Sequence, residues 1–150
     1  MKLELSSEGR YTLRALVYLA RDAEPGELVT AGRISAEAAV PRRVLARVMA
    51  KLSRTGLVES SEGRGGGARL ARPPEEITLR DAVEAVEGPF EVTRCIMQQR
   101  PCGEGRPCAL HEAWAEGQNA FLEHLGTRTL SEFVAQAPPS HLNRVDCPPP

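Results

Sequence analysis

Four residues that could bind a metal ion or an inorganic cluster lie close together near position 100. Cys95, Cys102 and Cys108 are separated by six and five residues, and His111 follows three positions after the last cysteine. Prolines and glycines at positions 101, 103, 105 and 107 favour a loop over a helix. A loop can gather three thiolates around one centre, and thiolates are the usual ligands of iron–sulfur clusters. The segment therefore predicts an iron–sulfur site, with His111 as the candidate for a fourth ligand.

Zinc binding and thiol oxidation are the alternatives for the same residues. Three cysteines and a histidine can form a structural zinc site, but such sites usually use cysteine pairs about two to four residues apart. Clustered thiols can also act without a metal, by reversible oxidation. The charged start of the chain and its lack of a long apolar run argue against export or a membrane span. We therefore expect a cytoplasmic protein with reduced thiols, which favours metal chemistry over a disulfide framework.

The residues before this segment predict three helices and a hairpin. Apolar residues at helical spacing place the helices over about 7–21, 30–37 and 41–54, with Thr30 as a cap and Pro41 in the first turn of the third. Gly56 predicts a left-handed helix end. The following stretch, LVESSEGRGGGARLA, predicts strand, glycine loop and strand. This order is typical of a winged helix-turn-helix.

The third helix combines an apolar stripe with basic faces, as a DNA recognition helix does. It corresponds to the second helix of the helix-turn-helix motif, which enters the DNA major groove. Arg43 and Arg47, one turn apart on this helix, are the predicted contacts. Arg64 and Arg69 lie on the wing and are expected at phosphate or the neighbouring minor groove. The full predicted DNA-binding set is Arg42, Arg43, Arg47, Lys51, Arg64 and Arg69.

The net charge of −1 conceals two halves of opposite sign. Residues 1–74 carry 13 Lys and Arg against 8 Asp and Glu, whereas residues 75–150 carry 6 against 12. A basic first half is typical of a nucleic-acid-binding module, and the acidic half behind it suits a second function.

The second half predicts further helices around the cysteine-rich loop. After a linker, RPPEE, a short helix capped by Thr78 and Asp81 ends at Gly88. A longer helix over about 109–125 carries an apolar stripe of Leu110, Ala113, Trp114, Gly117, Phe121 and Leu125. A last helix, TLSEFVAQ, begins with the cap pair Thr129 and Glu132, and the proline-rich tail is expected to be disordered.

The predicted fold class is mainly α with a small β-hairpin wing. It comprises a winged helix-turn-helix DNA-binding domain over 1–74, a cluster-binding loop and dimerisation helix over 75–136, and a disordered tail over 137–150. The long helix buries its apolar stripe most readily against a second copy of itself, which predicts a homodimer. The alternative is that it folds back on its own domain.

Six stretches together resemble a known family, the IscR-type or Rrf-type winged-helix transcription regulators, which include the NsrR and RirA groups. The resemblance runs from about residue 5 to residue 136. The cysteines with CALHEAW are its most specific part. The other stretches are GRYTLRAL, RISAEAAVPRRVLARVMAKLSRTGLVES, GGGARLAR, ITLRDAVEAVEG and TLSEFV.

The resemblance implies a homodimer that binds double-stranded promoter DNA and holds an iron–sulfur cluster in each subunit, with [2Fe–2S] favoured over [4Fe–4S]. Cys95, Cys102 and Cys108 match the cysteine ligands, and His111 matches the histidine that completes the site in the IscR group. Other members take an acidic residue from the first helix; Glu8 lies near that position, although Arg10 aligns closer to it.

Three positions depart from the family pattern. The first cysteine gap is one residue longer than usual, which bears on the cluster type and on the fourth ligand. Glu62 stands where an arginine is common in the wing. Ala68 stands where an aromatic often follows the glycines.

No catalytic constellation accompanies these features. The chain lacks an evident nucleophile–base set or carboxylate pair, and its glycine loop lacks the Gly-Lys-Ser/Thr ending of a phosphate-binding P-loop. We therefore predict a regulator rather than an enzyme, with no small-molecule substrate and no membrane partner. The alternative from another class is an iron–sulfur electron-transfer protein that does not bind DNA.

Overall fold

The computed structural model describes residues 5–90 and 108–136. Within these residues the chain forms six α-helices, one 3-10 turn at Pro74–Glu76 and one two-stranded antiparallel hairpin. The helices are α1 Ser7–Arg21, α2 Ala31–Glu37, α3 Arg42–Arg54, α4 Leu79–Glu87, α5 Ala109–Thr127 and α6 Leu130–Gln136. The strands are β1 Val58–Ser61 and β2 Gly67–Leu70. The fold is a winged helix-turn-helix with further helices, as the sequence predicts.

The central element is α1, which contacts α2, α3, α4, α6 and β2. Its residues Ala15, Leu16 and Val17 are completely buried. Ile77, just before α4, and Leu130, the first residue of α6, are buried in the same core cluster. Two backbone hydrogen bonds join the starts of α4 and α6, from Leu130 to Ile77 at 2.8 Å and from Leu79 to Arg128 at 2.9 Å.

Local signals define the ends of the helix-turn-helix. The Thr30 side chain caps α2 by accepting a hydrogen bond from the backbone N–H of Arg33. Pro41 is the N-cap of α3 rather than a first-turn residue, so that prediction is wrong by one position. At the other end, the Gly56 N–H bonds to Ser53 and the Leu57 N–H to Leu52, and Gly56 has φ +70°. This is a Schellman motif, and it confirms the predicted left-handed end.

The wing is attached to the helical body by a third chain segment. In the hairpin Val58 pairs with Leu70 and Ser61 with Gly67. Val29, just before α2, exchanges two backbone hydrogen bonds with Ala68, at 2.9 and 2.8 Å. A Cβ at Gly67 would lie 2.5 Å from the Val29 carbonyl oxygen, so only glycine allows this close approach.

The predicted caps of the later helices are present. Thr78 and Asp81 form a reciprocal capping box on α4, and Thr129 and Glu132 exchange equivalent bonds at 3.2 Å on α6. The helix predicted over 109–125 extends to Thr127, and the predicted linker contains the 3-10 turn. The division of the chain into domains stays a prediction, and the predicted disorder of the tail concerns residues outside the described ones.

No helix in the described part of the chain combines the length and the apolar character needed to cross a membrane.

Candidate DNA-binding surface and cysteine segment

Helix α3, the predicted recognition helix, has one buried and one exposed face. Its buried side chains are Leu45, Val48, Met49 and Leu52. Arg42, Arg43, Arg47 and Arg54 are exposed on the remaining faces, while Lys51 is half-buried. The apolar stripe therefore fixes the helix on the core and directs four guanidinium groups to solvent. A surface of this kind can approach the phosphates and base edges of a DNA groove.

The two predicted wing contacts differ in their surroundings. Arg64 is exposed in the turn of the hairpin. Arg69 instead pairs with Glu59 directly across the hairpin, at 2.8 Å, and also donates to the Gly26 carbonyl at 3.3 Å. Arg69 is therefore held against the body, so Arg64 is the more accessible wing cation.

Glu8 of α1 joins two cations of the recognition helix. Its Oε1 lies 2.9 Å from Lys51 Nζ, and its Oε2 lies 3.3 Å from Arg47 Nε. The contact with Lys51 holds the pKa of the Glu8 carboxyl below its usual value, and the charge of Arg47 acts in the same direction. We refer to these two ion pairs as the Glu8 bridge. The sequence reasoning considered Glu8 only as an alternative cluster ligand and did not find this role.

Lys51 is oriented differently from the arginines. Besides Glu8, its ammonium lies 3.5 Å from the carbonyl of Val86, near the end of α4. Its side chain is 32% exposed, against 61% for Arg47. Lys51 therefore connects α3 to α1 and α4, and of the two cations only Arg47 is mostly exposed.

Two of the predicted cluster ligands lie at the start of α5. Cys108 is the N-cap residue, and its thiol is exposed and free. The N–H of His111, one turn into the helix, bonds to the Cys108 carbonyl at 2.8 Å. Cys95 and Cys102 lie outside the described residues, and within those the structure holds no group of three or more potential ligands.

The donor types at this point fit an iron–sulfur cluster. The Cys108 side chain makes no capping hydrogen bond to the helix, so its sulfur is available to a ligand. His111 can supply an imidazole nitrogen from the same first turn. Arg10, the other first-helix candidate position, is hydrogen-bonded to Leu5 and Ser7, and a guanidinium has no acceptor for a metal.

Both ends of the undescribed segment 91–107 lead to α5. The Phe90 ring packs edge-on against Phe121, with ring centroids 5.9 Å apart, and Cys108 begins the helix itself. Phe121 is thirteen positions after Cys108, which corresponds to roughly 20 Å along the helix. The described residues on either side of this segment, Phe90 and Cys108, therefore lie at two different points along one helix.

The long helix α5 packs against α4 and leaves part of its apolar stripe uncovered. Leu110 and Phe121 are 47% and 40% exposed. Leu122, which is not on the predicted stripe, is buried instead. Pairing of the exposed stripe with a second copy stays a prediction.

Comparisons with known proteins relate most of the chain to regulators of transcription. The Rrf2 model, described as an iron-dependent transcriptional regulator, matches residues 5–136. The HTH-type transcriptional regulator NsrR of Bacillus subtilis is 32% identical over 133 residues, covering 88% of this chain and 90% of that protein. CymR, the global cysteine regulator of B. subtilis, has a TM-score of 0.74 at 26% identity, covering 91% of this chain and all of CymR.

A likeness in fold alone connects the chain to a further regulator. IscR of T. potens has a TM-score of 0.70 at 24% identity, covering 92% of this chain and 94% of IscR. The similarities extend over both the helix-turn-helix and the helices that follow it.

Proposed function

Because the chain belongs to the Rrf2 family of transcriptional regulators, we propose that it is a homodimer whose affinity for promoter DNA is controlled by an iron–sulfur cluster. The family consists of DNA-binding regulators that are generally dimeric, so the chain is a regulator and not an enzyme. We assign DNA binding to residues 1–74 and cluster binding and dimerisation to residues 75–136. The regulator would act in the cytoplasm, where promoter DNA and reduced thiols occur together.

The exposed basic face of α3 supports the proposed DNA contacts. Arg43 and Arg47 extend from a helix that is anchored by its buried stripe, which is the arrangement required for insertion into the major groove. Arg42 and the wing residue Arg64 add exposed positive charge around them. Lys51 and Arg69 are also in the proposed set, but their ion pairs with Glu8 and Glu59 must loosen before they can reach phosphate.

The α5 N-terminus supports the proposed cluster site. Cys108 and His111 present a thiol and an imidazole on one helical turn, and we propose that Cys95 and Cys102 complete the set. When bound, the cluster supplies a redox-active and chemically labile centre. This chain's own contribution is to present Cys108 and His111 from the first turn of α5. The main observation that supports this cluster site is the free, exposed thiol of Cys108 at the start of α5.

Arg47→Ala is expected to weaken binding to a promoter duplex by about five- to 150-fold, which corresponds to the roughly 1–3 kcal/mol of a base contact. Its folding stability should change little because the side chain is 61% exposed. Fluorescence anisotropy with a labelled duplex measures the affinity. Arg128→Ala removes the same charge from the end of α5 and serves as the control, since Arg128 pairs only with Glu132 among the described residues. Equal affinities for Arg47→Ala and the control would remove Arg47 from the DNA surface.

The regulatory part of the proposal predicts different DNA affinities for the cluster-loaded and cluster-free protein. A coupling of roughly 1–3 kcal/mol between the two sites gives a difference of about five- to 150-fold. Affinity should be measured anaerobically on both forms at one protein concentration and one salt concentration. Equal affinities would exclude control by the cluster. Protein that stays colourless after treatment with iron and sulfide would instead favour the zinc or thiol alternative.

A further inference from the structure

The Glu8 bridge brings a carboxylate into the surface that is proposed to meet DNA. Two oxygens of one side chain contact two cations, Lys51 at 2.9 Å and Arg47 at 3.3 Å. Such an acidic group lowers the affinity for any DNA, because it repels phosphate and occupies cations that would otherwise neutralise it. A carboxylate at this place therefore lowers the affinity for DNA regardless of its sequence.

The geometry of the bridge suggests what offsets this loss of affinity. The shortest contact between the two side chains joins Glu8 Oε2 to Arg47 Nε, the guanidinium nitrogen nearest the arginine's own aliphatic chain. The Arg47 side chain remains mostly exposed. Recognition of guanine by arginine uses two parallel N–H donors on the O6 and N7 acceptors, and it depends on the orientation of the guanidinium plane. The ion pair at Nε restrains the orientation of the Arg47 guanidinium before DNA is bound.

Glu8 is itself well held, as a positioning group must be. It lies in the first turn of α1, where Ser6 caps the helix through the Gly9 N–H at 3.0 Å. The Ser6 N–H in turn donates to Glu87 Oε1 of α4 at 2.9 Å. Lys51, on the other oxygen of Glu8, also approaches the α4 carbonyl of Val86. The first turn of α1, which carries Glu8, is thus joined to α4, and the carboxylate itself contacts two cations of α3.

We infer that Glu8 is a specificity-determining residue: it orients Arg47 for a base edge and withholds Lys51 from phosphate. Its presence lowers the affinity for DNA of arbitrary sequence and raises the discrimination between a target and a non-target duplex. This inference rests on the proposed DNA surface of α3. Failure of that surface and failure of the inference about Glu8 give different experimental results.

The test uses the full-length protein and two duplexes of equal length and composition. One is the sequence that the wild-type protein enriches from a random pool, and the other is its scrambled form. Glu8→Gln should bind the scrambled duplex about fivefold more tightly, the equivalent of one charge contact at about 4 Å in water. The slope of log affinity against log salt should steepen by roughly 0.9, one phosphate contact. Affinity for the selected duplex should change by less than about twofold, so the ratio of the two affinities falls.

Two further variants separate charge from positioning. Glu8→Asp keeps the charge but is one methylene shorter, so it should reduce the ratio by weakening the selected duplex, with the scrambled duplex bound as by wild type. Glu75→Gln removes a carboxylate from the 3-10 turn, which packs against α6, and should change neither affinity. An unchanged ratio in both Glu8 variants would overturn the inference. If Arg47→Ala does not change the affinity for the selected duplex, the proposed DNA surface of α3 is wrong. If Arg47→Ala weakens that binding while both Glu8 variants keep the wild-type ratio of affinities, only the inference about Glu8 is wrong.

Discussion

Cys108→Ser is expected to abolish the colour and the bound iron of protein prepared without oxygen. A serine hydroxyl is a much weaker acid than a thiol, and its oxygen is a harder donor. It therefore does not replace a thiolate as a ligand of an iron–sulfur cluster. With the cluster lost, DNA affinity should equal that of the cluster-free wild-type protein. This is the largest functional effect that we expect from a single substitution.

The position of Cys108 allows loss of the cluster to be distinguished from loss of helix α5. It is the N-cap of α5, and its thiol makes no capping hydrogen bond. Serine is among the preferred N-cap residues, and a good cap contributes roughly 0.5–2 kcal/mol to a helix. The variant should therefore be folded at least as stably as wild type, so loss of iron cannot be attributed to loss of α5.

Absorption spectra and iron and sulfide content, read beside thermal unfolding, provide the measurement. Cys147→Ser is the matched control, because Cys147 lies beyond residue 136, where the family match ends. It should retain full colour and iron. Undiminished iron and sulfide in Cys108→Ser would contradict the assignment of this cysteine as a ligand.

Leu45→Ala should destabilise the folded protein strongly through the buried face of α3. Leu45 is 1% exposed and belongs to the central core cluster around α1. Truncation of a buried leucine to alanine removes apolar contacts and leaves a cavity, at a cost of about 2–5 kcal/mol. For a chain of this size the unfolding temperature should fall by roughly 5–15 °C.

Arg43→Ala on the same helix is the control, since Arg43 is exposed. Its free energy of unfolding should remain within about 0.5 kcal/mol of wild type, while its DNA affinity falls. Denaturant unfolding at one fixed protein concentration measures both variants, because dimerisation makes apparent stability depend on concentration. A stability of Leu45→Ala equal to that of Arg43→Ala would contradict the assignment of the buried face of α3.

Local sequence patterns predicted most of the architecture. The limits of α1 are those expected from its apolar spacing, and the cap pairs Thr78–Asp81 and Thr129–Glu132 lie where their residue types indicated. Gly56 has the left-handed conformation that the end of a helix requires. These features depend on residues within a few positions of one another, so their causes can be read along the chain.

Errors and omissions concern one local turn and places where distant segments meet. Ala39, in the turn of the helix-turn-helix, has φ +51°, which its residue type does not suggest. The sequence predicts Gly67 only as part of a glycine loop, whereas in the structure it lies against the Val29 backbone. Leu122 rather than the stripe residue Phe121 is buried on α5, because packing on α4 selects the face.

The sequence by itself determined the helix order, the basic face of α3 and the cysteine and histidine types available for a metal. Only the tertiary structure decided how those charges are used, because Glu8 meets Arg47 and Lys51 through the packing of α1 on α3. Helical periodicity and caps arise from short-range sterics and hydrogen bonds, whereas an ion pair between distant residues requires that the core first bring its helices together.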